Sequence, residues 1–368
     1  MSTRRSARLG EVAPKEDTVA KKPAPASLPA GNGSKKRKNS TRENEPVSDS
    51  NNAVPSTPKR KKPSKTVVPK TPTPAAIGQL SSPFKPGDAD ESSPPPAVNR
   101  LAVPDGTNAL LISPETHRRI SSKPVDQVSP SKRPSITTKN LLDDALAHLI
   151  EQEPKLKAVI EKHPCTVFSP EGLAEEIDPF KSLISGIISQ QVSGAAAKSI
   201  KAKFVALFND HEDPTQHTFP TPSQVSSKTI EVLRTAGLSQ RKAEYALGLA
   251  EKFQSGELTA EMLFSATYEE VLEELIKVRG LGKWSVEMFA CFGLKRMDVF
   301  STGDLGVQRG MAALAGKDVG KLKGKGGKWK YMNEKDMEEM AEKFKPYRSV
   351  FMYYCWRVED VDISTFDN

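Results

Sequence analysis

The chain reads as a mainly α-helical fold preceded by a long disordered tail. Beyond residue 137, apolar residues recur at helical spacing and strand-like alternation is nearly absent. Composition changes near residue 135: residues 1–140 hold 21 of the 29 prolines, and Phe84 is their only aromatic residue. The same stretch holds 25 of the 54 Lys+Arg but 12 of the 46 Asp+Glu. A segment so poor in large apolar groups cannot offset its ordering entropy by burial. Residues 1–135 are therefore assigned to a basic Pro/Ser/Lys-rich tail and 136–368 to one helical domain.

The elements follow in order. Leu141, Leu142, Ala145, Leu146, Leu149 and Ile150 keep helical spacing up to a stop at Pro154. Asp178-Pro179 opens a second helix carrying Phe180, Leu183, Ile184, Ile187 and Ile188; the carboxylate accepts orphan amides and proline lacks the N–H that the first turn would leave unpaired. A third begins near Ser193, with Ala197, Ile200, Phe204, Leu207 and Phe208. Thr229–Thr235 stops at Ala236-Gly237, Ser239 caps Gln240–Phe253, and Tyr268–Lys277 carries Val271, Leu272, Leu275 and Ile276 on one face. The one strand-like stretch lies near Val167, too short to build a sheet.

No apolar run approaches the ~20 residues of a membrane-spanning helix, and the N-terminus lacks a signal-peptide core. Cys165, Cys291 and Cys355 stand too far apart in sequence for a disulfide framework, a zinc site or an iron–sulfur cluster, which points to a reducing compartment. The formal net charge of +8 comes from the tail, because the rest of the chain carries 29 basic against 34 acidic residues. Any nucleic-acid face on the folded part must therefore be local. One candidate is the glycine-interleaved run Lys317, Lys321, Lys323, Lys325, Lys328 and Lys330, which reads equally as a solvated insertion. In the tail, Lys35-Lys36-Arg37-Lys38 and Lys59-Arg60-Lys61-Lys62 are clusters of the nuclear-import kind, so the nucleus is the expected location. Arg4, Arg5 and Arg8 hint at a mitochondrial address, against which Glu11, Glu16 and Asp17 argue.

The chemistry concentrates in Leu275-Ile276-Lys277-Val278-Arg279-Gly280-Leu281-Gly282-Lys283-Trp284-Ser285. A helix stops at two glycines flanking one apolar residue, and another helix follows at once. Glycines allow positive φ and close approach, and the next helix directs its first amides outward toward a phosphate. This reads as a helix-hairpin-helix over about 268–294. Downstream stands Thr302-Gly303-Asp304, about twenty residues after Trp284.

With Ile187-Ile188-Ser189-Gln190-Gln191-Val192-Ser193, Ala236-Gly237-Leu238-Ser239 followed by Lys242-Ala243, and Phe344-Lys345-Pro346-Tyr347-Arg348-Ser349, these motifs stand in an order that resembles the helix-hairpin-helix/Gly-Pro-Asp superfamily of DNA glycosylases. Within it the chain is most similar to the 3-methyladenine glycosylases of the bacterial inducible type and their fungal relatives. The resemblance covers about 140–358 and implies two helical subdomains with a cleft between them. It makes Asp304 the catalytic carboxylate, which stabilises positive charge on deoxyribose or orients water once the base is flipped out. It gives Trp284 and Trp356 to the substrate pocket, where aromatic faces stack on a cationic alkylated purine. Tyr353 lies nearby, and Met288, which helical spacing alone places in packing, is counted with them.

Gln190, Gln191, Gly280, Gly282, Lys283, Ser285 and Arg309 are the DNA-contacting candidates; Gln191 matches the wedge that fills the gap left by the flipped base, at a position often apolar in the family. The backbone carbonyls of Ile276, Val278 and Leu281 correspond to a monovalent-cation site. Strand-cutting members carry a lysine where this chain has Trp284, so a monofunctional enzyme leaving an abasic site is expected. Two departures stand out: Arg279 where the hairpin often has proline, and Gly303 where proline or aspartate often precedes the catalytic residue. The expectation is a monomer without a cofactor, acting on double-stranded DNA with alkylated bases and handing abasic sites to downstream repair enzymes. The alternatives are a non-catalytic damaged-DNA binder and a glycosylase/lyase for other lesions.

Overall fold

The computed structural model describes residues 98–129, 136–211, 213–323 and 331–358, with the side chain at 323 excepted. Two short strands come first, β1 (Leu110–Ile112) and β2 (Arg119–Ile120). Helices α1 (Leu141–Gln152), α2 (Leu156–Lys162) and α3 (Pro170–Ala174) follow, then β3 (Glu176–Ile177). The central run is α4 (Pro179–Ser189), α5 (Gly194–Ala206), α6 (Pro222–Ser226), α7 (Ile230–Thr235), α8 (Gln240–Gln254), α9 (Ala260–Ser265), α10 (Tyr268–Ile276) and α11 (Lys283–Met288). A π-helical turn at Phe289–Gly293 continues α11. Then come α12 (Leu305–Leu314), α13 (Val319–Lys323), α14 (Glu334–Glu342) and α15 (Arg348–Cys355).

Most of these helices start where a short polar side chain can accept an orphan amide. Asp178, Ser193, Thr229 and Ser239 each cap the backbone three residues on, and Pro179 occupies the first turn after Asp178. Thr221 with Gln224 and Thr267 with Glu270 form reciprocal capping boxes. Gly237, at φ +96°, reverses the chain after α7.

Apolar side chains collect into two cores. The first joins α1–α3 to α12, α14 and α15; the second gathers β1 with α4–α11. The chain thus leaves the first core after α3, builds the second, and returns. The return point is α11 and its π turn: Val286, Phe289 and Leu294 face the second core, while Met288, Ala290, Cys291 and Phe292 face the first.

The structure departs from the sequence reading at two places. Val167 lies in a turn; the strands are those at 110–112, 119–120 and 176–177, in the order β2-β1-β3, with β1 antiparallel to β2 and parallel to β3. The folded part also begins earlier than residue 136: the sequence leaves open whether 100–135 docks on the domain, Leu110-Leu111-Ile112 being apolar enough to do so, and 98–129 packs against it. Polar anchors do much of this. Buried Arg100 donates to the carbonyls of Asn108 (3.1 Å) and Leu173 (2.6 Å), and the Asn108 amide donates to Val103, Gly106 and Lys295 carbonyls. Leu111 adds a fully buried apolar contact. Bonds to carbonyls leave no compositional signal, so a proline-rich, aromatic-poor stretch reads as tail although it is tied down. The two nuclear-import clusters and Lys325, Lys328 and Lys330 lie outside the described residues.

Candidate active site

Asp304 caps α12. Its Oδ1 accepts from the amides of Gly306 (2.8 Å) and Val307 (2.9 Å), the geometry that a carboxylate adopts at a helix start. Two indoles complete its surroundings. Trp356, just past α15, donates Nε1–H to Oδ1 at 2.9 Å, and Trp284, in the first turn of α11, donates to Oδ2 at 2.8 Å. Three helices from distant parts of the chain thus converge on one carboxyl group that is 3% exposed. Both indoles are half-buried and pack on the first core, and Phe292 lies 5.6 Å from Trp356, ring to ring.

Gly306 makes the approach of Trp356 possible: a Cβ there would stand 2.4 Å from the indole Cδ1. The loop before Asp304 is fixed as well. Ser301 Oγ donates to Glu287, Thr302 Oγ1 donates to Glu334 and the Thr302 carbonyl accepts from Gln308. The Phe344–Ser349 motif buttresses this loop from behind. Arg348 grips Asp298 through two nitrogens (2.6 and 2.7 Å), and Ser349 Oγ bridges the Arg296 carbonyl and the Val299 amide.

The hairpin leads directly into the site. Val278 and Leu281 plug it into the second core, while Gly280 takes φ +94° with its α-carbon against the Tyr245 ring; a Cβ would come within 2.2 Å of that ring. Exposed Gly282 caps α11 without a side chain, so nothing of its own covers the first amides, and Lys283 beside it is exposed. The Val278 carbonyl accepts from the Leu281 amide at 3.1 Å and keeps a second lone pair. Neutral carbonyls of Ile276, Val278 and Leu281 are the donor chemistry a monovalent cation takes.

Residues 184–324 match the HhH-GPD superfamily of base excision DNA repair proteins. The DNA-3-methyladenine glycosylase of Saccharomyces cerevisiae is 34% identical over 275 residues, spanning 66% of this chain and 88% of that protein. The chain belongs to the HhH-GPD superfamily. A second relative, DNA-3-methyladenine glycosylase 1 of Schizosaccharomyces pombe, is 33% identical over 144 residues, covering 39% of this chain and 60% of its own length. Among solved structures, the DNA-3-methyladenine glycosidase of Bacillus halodurans aligns over 60% of this chain and 90% of its own, at 30% identity and a TM-score of 0.45.

Within this HhH-GPD chain the expected site residues separate into groups. Asp304, Trp284 and Trp356 meet, and the indoles meet the carboxylate through their N–H edges. Met288 is fully buried in the first core, and Tyr353, 7% exposed, donates to the Pro164 carbonyl under the Arg357 guanidinium. Both therefore back the site from inside the core. Gln191 is exposed at φ +56° on the turn after α4, while Gln190 donates its side-chain amide to the Gly280 carbonyl at 2.9 Å. Gln190 thus links that turn to the hairpin. Ser285 on α11 and Arg309 on α12 are half-buried. Lys317 and Lys321, at the start of the basic run, face Asp336 and Asp318.

One acidic residue escaped the sequence reading. Glu287 lies on α11, 3% exposed, and accepts Ser301 Oγ–H at 2.5 Å. Its three-residue spacing from Trp284 places both on one helix face, a signal available in the sequence. Burial, aided by the nearby charges of Asp304 and Glu334, pushes its carboxyl above the usual range. Such a carboxyl favours the fold while protonated, and that contribution is lost as pH rises through the folded-state value. Glu287→Gln keeps an acceptor for Ser301 without the ionisation. Its melting temperature relative to the unaltered protein should therefore climb as pH rises from the ordinary carboxylate range toward neutrality. A difference that stays flat or falls across that range contradicts the buried-acid reading.

Proposed function

We propose that the chain is a monofunctional DNA-3-methyladenine glycosylase, hydrolysing the N-glycosidic bond of alkylated purines in DNA and leaving an abasic site for base excision repair. The observation that carries this reading is the Asp304 carboxylate, held by two amides and two indoles beside the helix-hairpin-helix. Family membership supplies the reaction class, and the relatives' names supply the lesion class. An alkylated purine already bears positive charge, so it departs as a neutral base when the C1′–N bond breaks and leaves the charge on the sugar. Water attacks C1′, and its proton passes to Asp304 or to solvent.

Oδ1 of Asp304 already carries three donors whereas Oδ2 carries one, so Oδ2 is the oxygen left to face the sugar cation or the water. Preorganised dipoles hold that charge without reorganisation during the reaction. Strand cleavage needs an amine to form a Schiff base. Trp284 stands where lyases of the family carry theirs, and its indole nitrogen donates to Asp304 instead of attacking. Lys283, Ser285, Arg309 and the amides after Gly282 form the proposed phosphate grip, with Gln191 as the wedge. The Ile276, Val278 and Leu281 carbonyls would hold a monovalent cation, which would shield a phosphate there.

The test is a panel of single-lesion duplexes assayed for free base. Release of 3-methyladenine, with no covalent adduct on borohydride addition, is expected. A borohydride-trapped adduct, or binding without base release, would overturn the assignment. We assign the tail of residues 1–97 to nuclear import and sequence-independent DNA affinity, on the strength of its two basic clusters. Removing it should disperse the protein from the nucleus and flatten the salt dependence of binding while turnover persists; unchanged localisation and slope argue against both roles.

A further inference from the structure

The turn between α4 and α5 is held from two directions. On α8, Lys242 directs its ammonium at the C-terminal end of α4, donating to the carbonyls of Ile188 and Gln190 at 2.7 Å each. A cation on the last carbonyls of a helix satisfies orphan acceptors and matches the negative end of the dipole. Three residues on, Tyr245 packs its ring against the Gly280 α-carbon, and the Gly280 carbonyl accepts the Gln190 amide. The α4 end, α8 and the hairpin thus form a closed circuit around one turn. At its tip Gln191 sits exposed at φ +56°, a backbone state that residues other than glycine keep only where their neighbours over-determine it.

We propose that Lys242 is a positioning residue for base extrusion: its ammonium locks the turn so that Gln191 stands at a fixed place relative to the hairpin's grip on the backbone. The inference rests on the proposed reading of Gln191 as the wedge. The Lys242 ammonium is bonded to the Ile188 and Gln190 carbonyls and is not among the donors to Asp304, so its effect belongs to unstacking the lesion and not to bond cleavage. Extrusion costs least when the lesion is already unpaired. The signature of Lys242 is therefore a ratio: single-turnover base release from a paired lesion, divided by release from the same lesion in an unpaired bubble.

Lys242→Met should lower this ratio about tenfold, the scale of losing charge-assisted hydrogen bonds, and Lys242→Arg should restore it. Lys242→Gln, which keeps a donor without the charge, falls between them and serves if Lys242→Met does not fold. Equal losses on both substrates, as general destabilisation gives, overturn the proposal. So does a flattened salt dependence of binding, which would make the ammonium a phosphate contact. Gln191→Ala separates the two readings. If it leaves the ratio unchanged, the wedge assignment fails and Lys242's role fails with it. If it lowers the ratio while Lys242→Met does not, only the role of Lys242 falls.

Discussion

Asp304→Asn should abolish base release from methylated DNA while the variant still binds it. The asparagine oxygen can keep the amides of Gly306 and Val307, so α12 stays capped. Its NH₂ group, however, then takes the place of Oδ2 and meets the Trp284 N–H donor to donor. The negative charge is lost and one of the two holding indoles is repelled. Removing a preorganised electrostatic group typically costs about 10²–10³ in rate. Losing the charge itself should cost about a thousandfold or more, equivalent to ~4 kcal/mol of transition-state stabilisation. Single-turnover release of free base at saturating protein measures it directly. Excision within about tenfold of the unaltered protein would remove Asp304 from the mechanism.

The largest effect on stability is expected at Gly310. There α12 crosses α15 so closely that an added Cβ would lie 2.1 Å from the Cys355 carbonyl oxygen and 2.6 Å from two further backbone atoms. Main chain cannot rotate away as a side chain can, so Gly310→Ala must push the two helices apart. Overpacking of this kind costs about 3 kcal/mol. For a domain of this size that corresponds to a fall of about 6–12 °C in the melting midpoint. The same helices carry Asp304 and Trp356 at their ends, so activity should fall alongside stability. A midpoint within about 1 °C of the parent's would show that the crossing yields more easily than the main-chain contact implies.

What could be read from the sequence divides along a physical line. Caps such as Asp178, Ser193 and Ser239, and the turn at Gly237, are local devices that one to four neighbouring residues specify. The hairpin was legible for the same reason: Gly280-Leu281-Gly282 alone says little, but a helix on each side of it makes the turn a hairpin. Asp304 stood out through the order of motifs around it. The use made of Trp284 and Trp356 did not: indole edges donating to one carboxylate depend on contacts 20 and 52 residues away. Met288 and Tyr353 lie near Trp284 and Trp356 in sequence but face inward, a distinction that spacing alone does not encode. Arg100 and Glu287 act through partners remote in the chain, and Lys242, which stood in a motif, did so without showing the carbonyls it holds. β1, at three residues, is too short to establish a period.

The division of the molecule into two cores bears on the order in which it assembles. From Ile177 to Leu294 the second core is almost uninterrupted chain, so its hairpin half can complete as soon as that stretch has been synthesised. The half that owns Asp304 must wait for helices that follow Leu294, and Trp356 comes more than sixty residues later. A nascent or C-terminally clipped chain should therefore be a DNA-gripping body before it is a catalyst. Pulse-labelled hydrogen exchange that protects α8 ahead of α15 would bear this out, and the reverse sequence would refute it.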